Sequence, residues 1–425
     1  MNRSLYSLLF YLGLPLIALR LWWRGRKAPA YRQRIGERFA LNLPEFRQGG
    51  IWLHAVSVGE SIAAAPVVRA LQQRYPELPI TVTCMTPTGS ERIRSMFGDS
   101  VQHCYLPYDL PCRARKFLTA LKPAVGVVME TELWPNHINQ CARMGIPVVL
   151  ANARLSERSA RGYARFPKLV GPMLAQLSGI AVQTQAEAQR FLELGARPEA
   201  VQVTGSIKFD LQIKPELLQQ AQALREQWQL DSRQVWIAGS THEGEDLLVL
   251  EAHKQLLQGF PKALLILVPR HPERFDTAYR LCQAEQLSVV RRSGGEAVTS
   301  ATKVLLGDTM GEMLLLYALA DVALVGGSLV PHGGHNLLEP VALGKPVLSG
   351  PHVFNFLDIA RQMTEANAMR EVRDEREIST AIARLWTDKG ACQAMQDAGQ
   401  QVLKANQGAL ERLLQLVSGF LEPLR

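Results

Sequence analysis

At 425 residues the chain is longer than one hydrophobic core usually supports, so two domains are expected. Hydrophobic residues make up 47% and charged residues 20%, which excludes a disordered or low-complexity chain. The net charge of +8 is not spread along the sequence: residues 1–48 hold nine basic side chains against Glu37 and Glu45, so the rest is close to neutral and no nucleic-acid partner is expected.

The basic segment surrounds an apolar run from Ser4 to Trp23, SLYSLLFYLGLPLIALRLWW. It has about the 20 residues that a helix needs to cross a hydrocarbon core. Arg20, near its end, can snorkel to the interface, and Trp22 and Trp23 suit headgroup depth. Arg24, Arg26 and Lys27 then form a cytoplasmic-side charge cluster. Residues 1–24 are therefore read as a membrane anchor and 25–49 as a basic collar, with the bulk of the chain on the cytoplasmic side. A cleaved signal peptide fits poorly, because the charges follow the apolar run. A buried helix stays open as an alternative, and Gly13 and Pro15 keep open a helix lying in the interface. The six cysteines form no CxxC pair, as a reducing compartment permits, and no disulfide or zinc site is expected.

From residue 51, short β-rich runs alternate with helix-length segments. The runs IWLHAV (51–56), ITVTCM (80–85), VQHCYL (101–106), AVGVVME (124–130), IPVVLA (146–151), GIAVQT (179–184) and VQVTG (201–205) make a first half. The pattern restarts with VWIAGS (235–240), ALLILVP (263–269), LSVVRR (287–292), KVLLGD (303–308), VALVGG (322–327) and KPVLSG (345–350). Buried Val/Ile-rich strands separated by helices predict parallel sheets covered on both faces. The expected organisation is a Rossmann-like domain over 50–207, a Gln-rich linker over 208–230, a second Rossmann-like domain over 231–405 and a C-terminal helix over 406–425. Two doubly wound sheets facing a central cleft would place ligands at the strand carboxyl ends.

The motifs lie at those ends. HAVSVGES (54–61) puts Glu60 at the start of a helix, where it suits a general base or simply a favourable helix-terminus position. Gly59 is read as permitting the tight turn. METELWPN (129–136) offers Glu130 and Glu132 beside Trp134, to grip sugar hydroxyls or to cap a helix. In LVPRHPERF (267–275), Arg270 leaves a strand after Pro269 and can bind phosphate or carboxylate in bidentate fashion. In GDTMGEM (307–313), Thr309, Met310 and Gly311 are read as a first helical turn that attracts an anion. GGSLVPHGGHNLLEP (326–340) is the strongest motif. A helix expected from His335 or Asn336 would offer the amides of His335, Asn336, Leu337 and Leu338 to a phosphate, with Glu339 accepting from ribose. No GxGxxG follows a strand, which argues against a dinucleotide enzyme. A zinc pair of His332 and His335 lacks further ligands at a sensible spacing.

Taken jointly, RGRKAPAYRQRIGERF, SVGES, TPTGSER, YLPYDLP, METELWPN, NARLSERS, TGSIKFD, STHEGE, PRHPERF, GDTMGE and HGGHNLLEP resemble the Kdo transferases of lipopolysaccharide assembly, a GT-B glycosyltransferase family. The resemblance covers essentially the whole chain. It implies CMP-Kdo as donor, where Kdo is the acidic sugar 3-deoxy-D-manno-octulosonic acid, and the lipid A precursor lipid IV(A) as acceptor. It also implies an inverting transfer, possible addition of several Kdo units, attachment to the bacterial inner membrane, and no metal or other cofactor. The family's base falls on Glu60, and its CMP-binding segments fall on Pro269-Arg270, Thr309-Met310-Gly311 and His335 to Leu338, with Glu339 beside them. Glu130, Glu132 and Lys208 are candidates for the acceptor or sugar. Another GT-B transferase or a sugar-nucleotide epimerase is the alternative.

Overall fold

A computed structural model describes residues 1–422, apart from the side chain of Lys27. The last three residues of the expected C-terminal helix, and the Lys27 side chain of the expected charge cluster, lie outside that description. The chain divides into two compact units, one formed by 1–210 with 407–425 and the other by 211–406.

The first unit is built on seven parallel strands: β1 (Ile51–His54), β2 (Ile80–Cys84), β3 (Gln102–Tyr105), β4 (Val125–Met129), β5 (Val148–Ala153), β6 (Gly179–Val182) and β7 (Val201–Val203), in the order β3-β2-β1-β4-β5-β6-β7. Alternation along the strands fills a core on each face. Ile51, Leu53, Val125 and Val127 point to one side, and Trp52 and Val128 to the other. The C-terminal helix Ala409–Leu421 closes the first face with Leu413, Leu414, Val417 and Leu421, each worth about 1.5–3 kcal/mol at most on full burial. Its start is fixed by Asp210, whose carboxylate accepts the amides of Gly408 and Leu410 at 2.6 Å each.

The second unit repeats the plan with β8 (Val235–Thr241), β9 (Leu264–Pro269), β10 (Val289–Arg291), β11 (Val304–Leu306), β12 (Val322–Val325), β13 (Val347–Ser349) and β14 (Met369–Glu371), in the order β10-β11-β9-β8-β12-β13-β14. The thirteen expected strands are all present, mostly one or two residues shorter, and β14 is additional. The segment read as a Gln-rich connector contains the helix Pro215–Gln227, whose Ala221 packs with Trp228 and Leu230 against the second sheet. In both sheets the strand order reverses beside the first strand: between β1 and β4, and between β8 and β12. Ligand sites of open α/β sheets sit outside the carboxyl ends at that reversal.

The apolar N-terminal segment is one helix, Arg3–Lys27, capped by Asn2 and containing Pro15. By length and composition it can cross a membrane, and most of it is exposed, including Leu5, Leu8, Leu12, Leu16 and Leu19. Its first turns are tied to the first unit. Ser7 Oγ and Arg3 Nη1 donate to Asn136 Oδ1 at 3.1 and 3.3 Å, and Phe10 meets Tyr108. Two of the collar's cations serve the interior. Arg34 forms a bidentate pair with Glu37, and buried Arg38 lies 3.8 Å over the Tyr105 ring while donating to the Met85 carbonyl.

Candidate active site

β1 ends at His54, and after a short extended stretch the helix Val58–Arg74 begins with Glu60 in its first turn. Gly59 is helical without a positive φ, and a Cβ there meets nothing closer than 4.0 Å, so the turn does not depend on glycine. The half-buried Glu60 carboxylate accepts the Val56 amide at 2.8 Å and the Ser57 hydroxyl at 3.1 Å. Burial pushes its pKa up to about 7, helped by the negative charges of Glu132 and Glu130 and opposed by the Val56 amide. The favourable helix-terminus position and a base-like proton affinity therefore coexist in one residue.

Glu130 and Glu132 follow β4, the neighbour of β1 at the reversal. Glu130 has φ +55, a conformation that side chains other than glycine seldom adopt, and its amide is held by the Ala151 carbonyl at 2.8 Å. Backbone strain of this kind tends to cluster at functional sites. Burial, then Glu130, raises the Glu132 pKa. Lys208 belongs to the same cluster: burial lowers its pKa, Arg154 lowers it further and Glu130 opposes them. Asn152, also at positive φ, anchors that segment by accepting the Ile207 amide at 3.2 Å. The structure thus brings Glu60, Glu130, Glu132 and Lys208 together. The partly buried indole of Trp134 packs against the core and, with Glu132, His54 and His137, lines a small cavity of about 10 Å³.

In the second unit, Arg270 leaves β9 exposed, with its amide donating to the Thr241 carbonyl at 3.0 Å. Thr309 to Gly311 form a bend rather than a first helical turn, since the helix is Met313–Leu319. The Thr309 hydroxyl donates to Glu312, which pairs with Arg292 at 2.9 Å. After Gly333 and Gly334, both at positive φ, the helix begins only at Leu338 and runs one turn to Ala342. Asn336 causes the delay: its Oδ1 accepts the Leu338 amide at 3.2 Å, while its Nδ2 donates to Glu339 at the same distance. A Cβ on Gly333 would stand 2.4 Å from Asn355 Nδ2, so the loop requires glycine there. Burial raises the Glu339 pKa, opposed by Asn336 and Arg270.

Sequence reasoning missed Glu245, which is fully buried and accepts four backbone amides, those of His242, Gly327, Ser328 and Leu329, at 2.7–3.0 Å. This one carboxylate fixes the loops after β8 and β12 to each other. It also missed His242, whose Nε2 lies 2.9 Å from that of His335. The available signal was an acidic residue opening a helix just after a strand, the same placement that singled out Glu60. Among the described residues no group of three or more His, Cys, Asp or Glu could hold a metal ion.

Residues 33–211 match the family described as 3-deoxy-D-manno-octulosonic-acid transferase (kdotransferase). The chain is similar to the 3-deoxy-D-manno-octulosonic acid transferase of Haemophilus influenzae, 46% identical over 425 residues and covering 99% of both chains. The enzyme of that name from Bordetella pertussis is 38% identical over 439 residues, covering 99% of this chain and 100% of the relative. UDP-GlcNAc 2-epimerase from Neisseria meningitidis, solved with UDP-GlcNAc, matches with a TM-score of 0.60 over 87% of this chain and 100% of that one, at 14% identity. So distant a likeness speaks for the fold alone, the GT-B type with two parallel-sheet units. The motifs at the strand ends and the full-length similarity agree, and the chain belongs to the Kdo transferase family, the glycosyltransferases of lipopolysaccharide synthesis.

Proposed function

We propose that this chain moves Kdo from CMP-Kdo to lipid IV(A) in a single inverting displacement with Glu60 as general base, and adds more than one Kdo in succession. The observation that carries this reading is the Glu60 carboxyl, half-buried at the strand-order reversal with a pKa pushed up to about 7. A base of that proton affinity is ionised near neutral pH and still strong enough to take a sugar hydroxyl proton. Glu130, Glu132 and Lys208 supply two acceptors and one cation for the sugar or acceptor.

The hydroxyl oxygen attacks the anomeric carbon of Kdo, and the bond to the phosphate oxygen breaks with its electron pair on CMP. Arg270 and the backbone of Thr309-Met310-Gly311 and His335-Asn336-Leu337 neutralise that charge, while Glu339 accepts from ribose. Because Asn336 already occupies the Leu338 amide and the following helix is one turn long, the guanidinium of Arg270 carries more of the charge than a helix dipole does. These groups need no metal or other cofactor for charge neutralisation.

We place the protein at the bacterial inner membrane through Arg3–Lys27, with both units on the cytoplasmic side. The contacts of Arg3 and Ser7 with buried Asn136 favour a helix lying in the interface with its leucine stripe in lipid, rather than one crossing the bilayer. Incubating purified protein with CMP-Kdo and lipid IV(A) and weighing the lipid by mass spectrometry tests the reaction. A mass gain of one or more Kdo units is expected, and an unchanged lipid mass beside released CMP would sink the acceptor assignment.

A further inference from the structure

Four histidines meet at the carboxyl ends of β8, β9 and β12. The His242 ring stacks on His332 at 4.1 Å between centroids, lies nearly parallel to His335 with centroids 5.1 Å apart, and meets His271 at 5.3 Å. His242 Nε2 and His335 Nε2 lie 2.9 Å apart. Two imidazole nitrogens at that distance share a single proton, because two bare lone pairs repel and two N–H groups collide. One ring donates, the other accepts, and the pair is neutral.

The surroundings hold it neutral. Arg270, His271 and Arg274 on the segment after β9, and His332 on the loop after β12, bring positive or protonatable groups towards it. The nearby carboxylates are engaged: Glu245 by four backbone amides, Asp246 by Arg274 and Glu339 by Asn336. Burial first, then His332 and His271, pushes the His242 pKa down to about 4. For His335 burial comes first and Arg270 next, to the same value. A phosphate bound against Arg270 reverses the sign of this local field, and each imidazole then gains by holding its own proton.

We propose that His242 and His335 form a proton-linked pair that takes up a second proton from solvent when the phosphate of a nucleotide monophosphate binds. The uptake breaks the 2.9 Å contact, since two N–H groups cannot face each other there, and frees one Nε2–H for a phosphate oxygen. In the transfer, the broken sugar–oxygen bond leaves its electron pair on the nucleotide, adding one negative charge to the phosphate. The pair's extra proton offsets that charge, while the proton of the acceptor hydroxyl goes to Glu60. This inference rests on the second unit being the CMP site.

Isothermal titration of full-length protein with CMP at pH 7.5, in two buffers of different ionisation heat, measures the protons taken up. About one proton per CMP is expected, with affinity weakening about tenfold per pH unit around pH 7.5, because each binding event must draw one proton from an increasingly dilute supply. His242→Asn should still bind CMP, roughly tenfold more weakly, and lose most of the uptake; His335→Gln should do the same if the first variant does not fold. CMP binding without proton uptake in the wild type overturns the pair while leaving the donor site standing. Uptake unchanged in either folded variant also overturns it, by placing the proton elsewhere. No CMP binding at all would sink the donor site and the pair together.

Discussion

The Glu60 carboxylate accepts the amide of Val56 at 2.8 Å, reaching back past the N-cap Ser57 to the last turn of chain before its own helix. That bond fixes the carboxylate's direction, while burial has the largest influence on its proton affinity. Glu60→Gln keeps the size and can still accept the amide, but cannot take a proton. Turnover should fall about 10²–10⁴-fold with CMP affinity unchanged. A variant that keeps a third of wild-type turnover would remove Glu60 from the mechanism.

The raised pKa gives a pH dependence of known sign. The base works ionised, so turnover at saturating CMP-Kdo should rise with pH through about 7 and then level off. Stability moves the other way. Between about 4.5 and 7 the folded state binds more protons at Glu60 than the unfolded state does, so its contribution to stability falls as pH rises. Glu60→Gln should therefore melt higher than the wild type at pH 8 and with it near pH 4. Equal melting temperatures at pH 8 would mean that burial costs the carboxylate little.

Glu245 offers a test of the loop scaffold. Removing a buried acceptor leaves donors unsatisfied, each at about 1–3 kcal/mol. Glu245→Ala strands four amides and should lower stability by at least ~3 kcal/mol in urea unfolding. Glu245→Gln adds two donors where only acceptors fit, and should weaken CMP binding about tenfold or more in titration calorimetry. Wild-type CMP affinity in the glutamine variant would show that the loops hold their shape without this carboxylate.

The strands were legible because Val/Ile-rich runs of four to seven residues have few other uses, and the motifs at their ends followed from the topology. Three things were not. β14, Met369–Glu371, has two exposed polar residues of three and carries no apolar run. The helix Pro215–Gln227 reads as a connector because its core-facing residues are sparse among glutamines. The helix expected at His335 starts at Leu338 because the Asn336 side chain takes an amide that a continuing helix would need, a competition visible only in coordinates. Glu245 and His242 escaped for a related reason: backbone-accepting carboxylates and stacked imidazoles leave no periodic trace.

Transfer is expected to proceed without a metal, given the residues proposed to meet the phosphate. In the proposed site Arg270 and backbone amides supply the positive field, and the carboxylates of the second unit nearest them are already engaged by amides, Arg274 or Asn336. Millimolar EDTA should leave turnover within about twofold of the untreated rate. Loss of activity under EDTA, restored by magnesium, would put a metal on the phosphate and make Arg270 secondary.

The N-terminal helix distinguishes two kinds of attachment. If it lies in the interface, Ser7 and Arg3 keep their bonds to Asn136 while Leu5, Leu8, Leu12, Leu16 and Leu19 contact lipid. Replacing Leu12 and Leu16 with glutamate puts two charges on that face, which should move most of the protein from membranes to the soluble fraction and cut activity on bilayer-presented lipid. CMP affinity should not change, because the proposed nucleotide segments, His242 included, all lie in the other unit. Cysteine labelling adds the geometric reading. A thiol placed at Ser4 should react with a membrane-impermeant reagent from the cytoplasmic side if the helix lies flat, and from the opposite side if it crosses. Labelling from the opposite side would require the Arg3 and Ser7 contacts with Asn136 to open in the membrane-bound protein, and would return the helix to a spanning anchor.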